Sequence, residues 1–267
     1  MGIFQAIILG FVQGIAEFLP ISSSGHLVIL HNMFGVNLDD PTLFTFDIVV
    51  HLGSLVAIIL VFWADIFELI KNPFSKATGL LIVGTIPAVV AAVFFGDIIE
   101  SYLRTGIWLV AAFTVTGFLL IYADRVSATA KTAKTEITYK DAIIVGCMQA
   151  LALPPGISRS GTTITGALAR GLDRATAAKF SFMLAIIAIS GAGLREGARF
   201  FSGDIETAAI AIAPMVAGFI TSLVVGYFSI KLLLELIKKC KLVYFSYYVW
   251  GLAALILLDL VVVNHFF

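Results

Sequence analysis

The sequence predicts an all-α polytopic membrane protein built from two inverted-topology repeats, with six full transmembrane helices and two re-entrant helical hairpins. Three observations predict it: the composition, the lengths of the apolar runs, and an internal duplication that carries the same interruption twice. Of 267 residues, 60% are hydrophobic and 13% charged, with a mean hydropathy of +1.04. That is about half the charge of an ordinary water-facing surface, so the chain belongs in a bilayer. The 17 Lys and Arg balance 17 Asp and Glu, which points to neither a nucleic-acid-binding surface nor a polybasic anchor. Cys147 and Cys240 stand far apart, one in an apolar stretch and one in a Lys-rich loop, and read as structural thiols rather than a disulfide framework. The first residues lack a positively charged leader and a small-residue cleavage site, so they read as mature protein.

A helix needs about 20 apolar residues to cross the hydrocarbon core. Six stretches qualify as full spans: 48–70, 79–96, 106–123, 177–194, 208–228 and 247–263. Two more, 2–34 and 141–171, are long enough overall but are cut midway by Pro, Gly and hydroxyl residues. Neither is one continuous helix, and each is expected as a re-entrant segment. The two interruptions are related. Laid over each other without gaps, residues 6–28 and 142–164 match Ala6 with Ala142, Gly10 with Gly146, Gln13 with Gln149, Ser22 with Ser158, Ser24 with Ser160 and Gly25 with Gly161. At the same offset Phe44 and Phe46 fall opposite Phe180 and Phe182. The expected repeats are therefore 1–130 and 131–267, in one integral membrane domain, with the polar stretch 124–140 as linker.

Loop charge sets the orientation, because short cytoplasmic loops collect Lys and Arg. With both interrupted segments re-entrant, 13 basic residues fall on one side and only Arg104, Arg195 and Arg199 on the other. Both termini then face outward. The first interrupted segment dips in from outside and the second from inside. In inverted repeats of this kind the binding site lies where the broken segments meet near the midplane. Pro87 and Pro214 lie inside spans and are expected to mark kinks.

At the first break Pro20 ends a helix and Ser22 is suited to cap the next; at the second, Pro154, Pro155 and Gly156 end a helix and Ser158 can cap its successor. Two helix N-termini, each the positive end of a dipole with unpaired N–H groups, therefore point inward and suit an anion such as phosphate. Arg159 is the one basic residue left inside the membrane region, and its guanidinium fork fits phosphate oxygens. Glu17, His26, Ser22, Ser23 and Ser24 complete the first break. Ionisable groups within a membrane are functional candidates, since each costs at least about 2.5 kcal/mol there. Together these residues form a phosphoryl-transfer inventory: a cation and dipoles to hold phosphate, a carboxylate and an imidazole for protons or metal, and hydroxyls to donate or attack.

The stretches GFVQGIAEFLPISSSGH and PGISRSGTTI closely resemble the two signature motifs of the undecaprenyl-diphosphatase family, the integral membrane polyprenyl diphosphate phosphatases linked with bacitracin resistance. Gln13 and Glu17 satisfy the first motif. Pro155, Gly156, Ser158, Arg159, Ser160 and Thr163 satisfy the second. Many members carry Glu where this chain has Gln13, which removes one carboxylate from any two-carboxylate metal site. The resemblance implies hydrolysis of a C55 polyprenyl diphosphate to its monophosphate and inorganic phosphate, recycling the lipid carrier for cell-wall polymer synthesis. It also implies a divalent cation (Mg or Ca) and an active site opening to the outer face of the cell membrane. The partners expected are the membrane and the lipid, with no nucleic acid; a homodimer is compatible with this. The competing class is an inverted-repeat transporter or flippase of a polyprenyl phosphate lipid.

Four residues are assigned to catalysis. Arg159 clamps phosphate and neutralises the transition state, or else pairs Glu17 structurally. Glu17 binds metal or moves a proton with His26, or only fixes Arg159; it is the one metal-ligand candidate. His26 acts as acid or base or attacks phosphorus, or else packs in the interior. Ser23, at the position matched by Arg159, is the favoured nucleophile, with water, Ser22 and Ser24 as alternatives. Gln13, Ser22, Ser24, Ser158, Ser160 and Thr163 are expected to bind substrate oxygens or to satisfy backbone groups. Asp47 and His51, one turn apart at the start of the first full span, either approach the outer vestibule or form an interfacial pair and stay outside this site, and His31 and His265 carry no assigned chemistry.

Overall fold

The computed structural model describes residues 1–36, 41–102, 105–129, 133–202, 211–263 and 265–267. Among these the backbone is helical, and a single isolated bridge joins Lys134 to Leu172. In chain order the helices are α1 (Ile3–Ala16), α2 (Ser23–Met33), α3 (Pro41–Val61), α4 (Trp63–Lys71), α5 (Lys76–Tyr102), α6 (Gly106–Thr129), α7 (Tyr139–Leu151), α8 (Arg159–Ala169), α9 (Arg174–Ser202), α10 (Ile212–Lys239) and α11 (Val243–Leu258), the last continued by a π-helical turn, Asp259–Val263.

Among the described residues six stretches are long and apolar enough to cross a membrane: Leu43–Val61, Lys76–Gly96, Gly106–Ala128, Arg174–Arg195, Ile212–Ile237 and Val243–Val263. The chain is thus an all-α polytopic membrane protein. By contrast α1, α2, α7 and α8, with 14, 11, 13 and 11 residues, rise only about 16–21 Å. That is short of the roughly 30 Å hydrocarbon core.

The first expected span, 48–70, is corrected at both ends. The helix begins earlier and breaks at Phe62 (φ −103°, ψ 23°), and α4 follows as a separate piece with no buried residue. Asp65, Glu68 and Lys71 put charge on each turn of α4, which disfavours continuing into hydrocarbon. Its exposed Trp63 stacks on Phe67 at 6.3 Å between centroids, and the Lys71 ammonium sits 4.4 Å over the same ring. Pro214 is no kink, because it is the third residue of α10, in the first turn where no helical hydrogen bond is lost. Pro87 lies in the interior of α5. The expected fifth-span start at 208, Arg104, Lys131 and the repeat boundary at 130–131 fall outside the described residues.

Close approaches fix how the short helices lie. A Cβ on Gly10 would come within 2.4 Å of the Gly218 carbonyl oxygen on α10, and one on Gly146 within 2.2 Å of the Gly84 carbonyl oxygen on α5. Only a hydrogen fits at either place, so α1 seats on α10 and α7 on α5 backbone to backbone. Near the centre Phe18 meets Phe182 edge-on at 5.9 Å, Phe62 tilts against the same ring at 6.0 Å, and buried Leu120, Ile164 and Leu184 fill the surroundings. At one end of the bundle, charges pair between elements: Lys134 and Arg170 both hold the buried Asp141 carboxylate, Arg174 pairs with Asp124, and Lys179 with Asp65.

Candidate active site

The α1–α2 and α7–α8 turns are built alike. Ser22 caps α2, its Oγ accepting from the Gly25 amide at 3.3 Å, and Ser158 caps α8, its Oγ accepting from the Gly161 amide at 3.1 Å. Each cap sits beside the hydroxyl two residues on, Ser24 at 3.4 Å and Ser160 at 3.3 Å. The helices that follow, Ser23–Met33 and Arg159–Ala169, stand at a constant offset of 136 residues. Ser160 Oγ donates to the Leu19 carbonyl at 3.1 Å, and Gly25 lies against the Gly156 backbone. The two turns therefore touch, and their helix N-termini converge. The α7–α8 turn is also fastened to α6: Trp108 Nε1 donates to the Pro155 carbonyl at 2.8 Å, and Thr116 Oγ1 accepts from the Ser158 amide at 3.1 Å while donating to the Gly156 carbonyl.

Glu17 sits at the meeting point, at the C-cap of α1, with only 6% of its side chain exposed. Arg159 Nη2 donates to its Oε1 at 2.5 Å, Ser23 Oγ to its Oε2 at 2.5 Å, and Gln13 Nε2, one turn earlier on α1, to Oε2 at 3.0 Å. Arg159 Nη1 reaches the Ser181 carbonyl at 3.5 Å on α9. Four of the sequence-assigned residues, Gln13, Glu17, Ser23 and Arg159, thus form one connected cluster drawn from both turns. Thr163 lies behind it, donating to the Arg159 carbonyl and sharing a 2.6 Å hydrogen bond with Ser181.

His26 is placed elsewhere. Its Nδ1 lies 2.7 Å from the Ser22 carbonyl, and a carbonyl only accepts, so Nδ1 carries the proton. Its Nε2 then accepts from the Tyr248 hydroxyl at 2.8 Å, with the two rings stacked at 5.6 Å. Both nitrogens are occupied away from Glu17. The ring braces a strained turn: Ser22 is the one non-glycine residue with positive φ (68°) among the described residues, a conformation that costs on the order of 1–3 kcal/mol and persists only where surroundings enforce it.

Sequence reasoning passed over three groups next to the cluster. His51 Nε2 on α3 is 3.5 Å from Glu17 Oε2, which matches the approach to the site that its position in the sequence allowed. Its Nδ1 donates to the Asp47 carbonyl at 2.6 Å, one turn back. Asp47 in turn accepts from His31, which is buried at 1% exposure, at 2.9 Å. Ser54 joins Gln13 to Ser222 on α10.

The expected divalent cation is tested by this donor set. A Ca²⁺ or Mg²⁺ site asks for six or more oxygens, usually with one or two carboxylates to spare. Here the one carboxylate is already shared among a guanidinium, a hydroxyl and an amide. One further oxygen of the cluster, Gln13 Oε1, is buried without a hydrogen-bond partner. Among the described residues no three His, Cys, Asp or Glu side chains gather with ligand spacing. Without substrate oxygens the described residues therefore do not fit a resident cation.

Residues 6–255 match the family model of bacitracin resistance protein BacA. The chain is 44% identical over 257 residues to the undecaprenyl-diphosphatase of Carboxydothermus hydrogenoformans, covering 96% of this chain and 97% of that one. It is 45% identical over 257 residues to undecaprenyl-diphosphatase 4 of Bacillus thuringiensis subsp. konkukian, with the same coverage. To the undecaprenyl-diphosphatase of Methanosphaera stadtmanae it is 42% identical over 270 residues, covering 93% and 94%. A match of this extent, with both turn motifs folded into one cluster, makes the chain a member of the bacitracin resistance protein BacA family.

Proposed function

We propose that the chain hydrolyses the terminal phosphate of undecaprenyl diphosphate, giving the monophosphate lipid and inorganic phosphate, and so returns the carrier to cell-wall polymer synthesis and confers bacitracin resistance. One observation carries this beyond anion recognition. The Ser23 hydroxyl donates to Glu17 Oε2 while Arg159 holds Oε1, so a nucleophile, its base and a phosphate-binding cation share one carboxylate. A carrier of lipid phosphates needs the cation and the helix ends but has no use for a hydroxyl poised on a base.

The reaction follows from these contacts. The terminal phosphate settles between the two helix N-termini and draws the Arg159 fork onto its oxygens. Ser23 Oγ attacks phosphorus and gives its proton to Glu17 Oε2. The new bond is Oγ–P, and the bond that breaks joins phosphorus to the bridging oxygen, which leaves with the monophosphate lipid. Water then attacks the phosphoserine, releasing inorganic phosphate, and a proton returns to Ser23 Oγ. Arg159 offsets charge on the transferring group throughout, the term with greatest leverage in phosphoryl transfer. Ser160 and Thr163 hold the α8 end in register through Leu19 and Ser181. The polyprenyl tail stays among lipid chains.

The inverted-repeat reading, with residues 2–34 and 141–171 re-entrant, draws support from packing. Both α1 and α3 run parallel to α10, with Gly10 and Gly53 near Gly218 and Phe219, whereas α7 runs parallel to α5. Basic residues gather at the end holding Asp141, Asp124 and Asp65; that end faces the cytoplasm. Both termini then face outward, with the site opening to that side.

Purified protein in detergent should release phosphate from undecaprenyl diphosphate with no second compartment. Tight lipid binding without phosphate release, with and without added divalent ions, would overturn the hydrolase in favour of a carrier.

A further inference from the structure

We infer that His51 is a positioning residue of the reaction: it receives the proton-bearing form of Glu17 and holds it in place. This rests on Glu17 serving as the base for Ser23. The inference follows from what each contact becomes during turnover. Before attack, Glu17 Oε2 accepts from Ser23 and Gln13 while Arg159 donates to Oε1. When Ser23 Oγ bonds to phosphorus its proton moves to Oε2, and Arg159 turns to the phosphate. The carboxyl then loses two partners and gains a donor O–H that needs an acceptor inside an apolar protein.

His51 supplies that acceptor. Its Nδ1 donates to the Asp47 carbonyl at 2.6 Å, which in the neutral imidazole makes Nε2 the acceptor, a lone pair. That lone pair faces Glu17 Oε2 at 3.5 Å. Two acceptors facing each other have no bond to make until one of them holds a proton, and the proton taken from Ser23 is that proton. Asp47 is pinned by the buried His31 on α2, so α2, which carries Ser23, and α3, which carries His51, are tied together by the same aspartate. His51 is also the more open of the pair, 24% exposed against 6% for Glu17. The ring never touches the reacting phosphorus; it acts through Glu17.

The test compares His51→Gln and His51→Leu in phosphate release from undecaprenyl diphosphate, with Glu17→Gln assayed in parallel. A Gln amide oxygen can take the same proton, so His51→Gln should keep kcat within about tenfold. His51→Leu fills similar space without an acceptor and should lose about 100-fold in kcat, with KM within about threefold. If His51→Leu aggregates, His51→Asn, whose shorter amide cannot reach, should show the same loss. The inference is overturned if His51→Leu or His51→Asn keeps kcat, if the loss lies in KM, or if Gln and Leu lose equally. Turnover by Glu17→Gln would instead remove the base on which the inference rests, whatever His51 does.

Discussion

Replacing Arg159 by Lys separates the charge of this side chain from its shape. In the resting site one arm of the guanidinium lies on Glu17 Oε1 and the other reaches the Ser181 carbonyl, so the fork is already spread across the cleft. Lys keeps the positive charge, which spares Glu17 from being buried alone, but it presents one donor direction where Arg presents two. One charge-assisted hydrogen bond to phosphate is thereby lost, about 1.5–3 kcal/mol, or roughly 10- to 160-fold in rate at about 1.4 kcal/mol per tenfold. Arg159→Ala removes the cation as well and should cost about 1000-fold or more. The assay is the initial rate of phosphate release from undecaprenyl diphosphate in detergent, over a range of lipid concentrations that resolves kcat from KM. A Lys variant within threefold of the parent in kcat/KM would show that only a point charge is needed there, and the bidentate clamp would be refuted.

Three further outcomes follow from the same geometry. Gly146→Ala would drive a methyl into the Gly84 carbonyl at 2.2 Å, so α7 must lift off α5; thermal unfolding in detergent should show a loss of about 1–3 kcal/mol, and an unchanged Tm would deny the close approach. Asp173 caps α9 through the Thr176 hydroxyl and the Ala175 and Thr176 amides; burial opposes its charge, but these hydrogen bonds hold its carboxyl below the usual range. Such a group stabilises above its unfolded value of about 3.9 and loses that contribution as pH falls through its folded value. Asp173→Ala should therefore cost about 1 kcal/mol near neutrality, with parent and variant converging below about pH 4; a gap that widens in acid would contradict the sign. Chelator should leave the Tm of the lipid-free protein unchanged, since among the described residues no cage of ligands gathers to lose a cation, and a clear fall would point to a resident metal.

The parts legible in the sequence were those where chemistry interrupts an apolar run. Pro20, Pro154 and Pro155 end helices, Ser22 and Ser158 are placed to restart them, and Glu17 and Arg159 are too costly in hydrocarbon to lack a role; the structure joins these in one cluster. What escaped lies in uninterrupted helix. Asp47 and His51 were visible as a charged pair on one turn of α3, but their link to Glu17 was not, and the expected span start at 48 placed Asp47 just outside it. The contact that matters crosses from α3 to the end of α1, and no local spacing encodes it. For the same reason the break at Phe62 was hidden: averaged over a window, Asp65, Glu68 and Lys71 are outweighed by their apolar neighbours. His26 was legible as a buried ionisable residue, but its direction was not. Its orientation depends on Tyr248, 222 residues away, and on the positive φ of Ser22.

A double-mutant cycle tests most directly whether the two turns act as one site on one diphosphate. Ser23→Ala belongs to the α1–α2 turn and Arg159→Ala to the α7–α8 turn, and each side chain holds a different oxygen of Glu17. In kcat/KM for undecaprenyl diphosphate, the double variant should be little slower than the slower single one, because groups acting on the same transition state lose their effects together. Losses that multiply would mean that the two turns act independently, and a shared diphosphate site would be excluded.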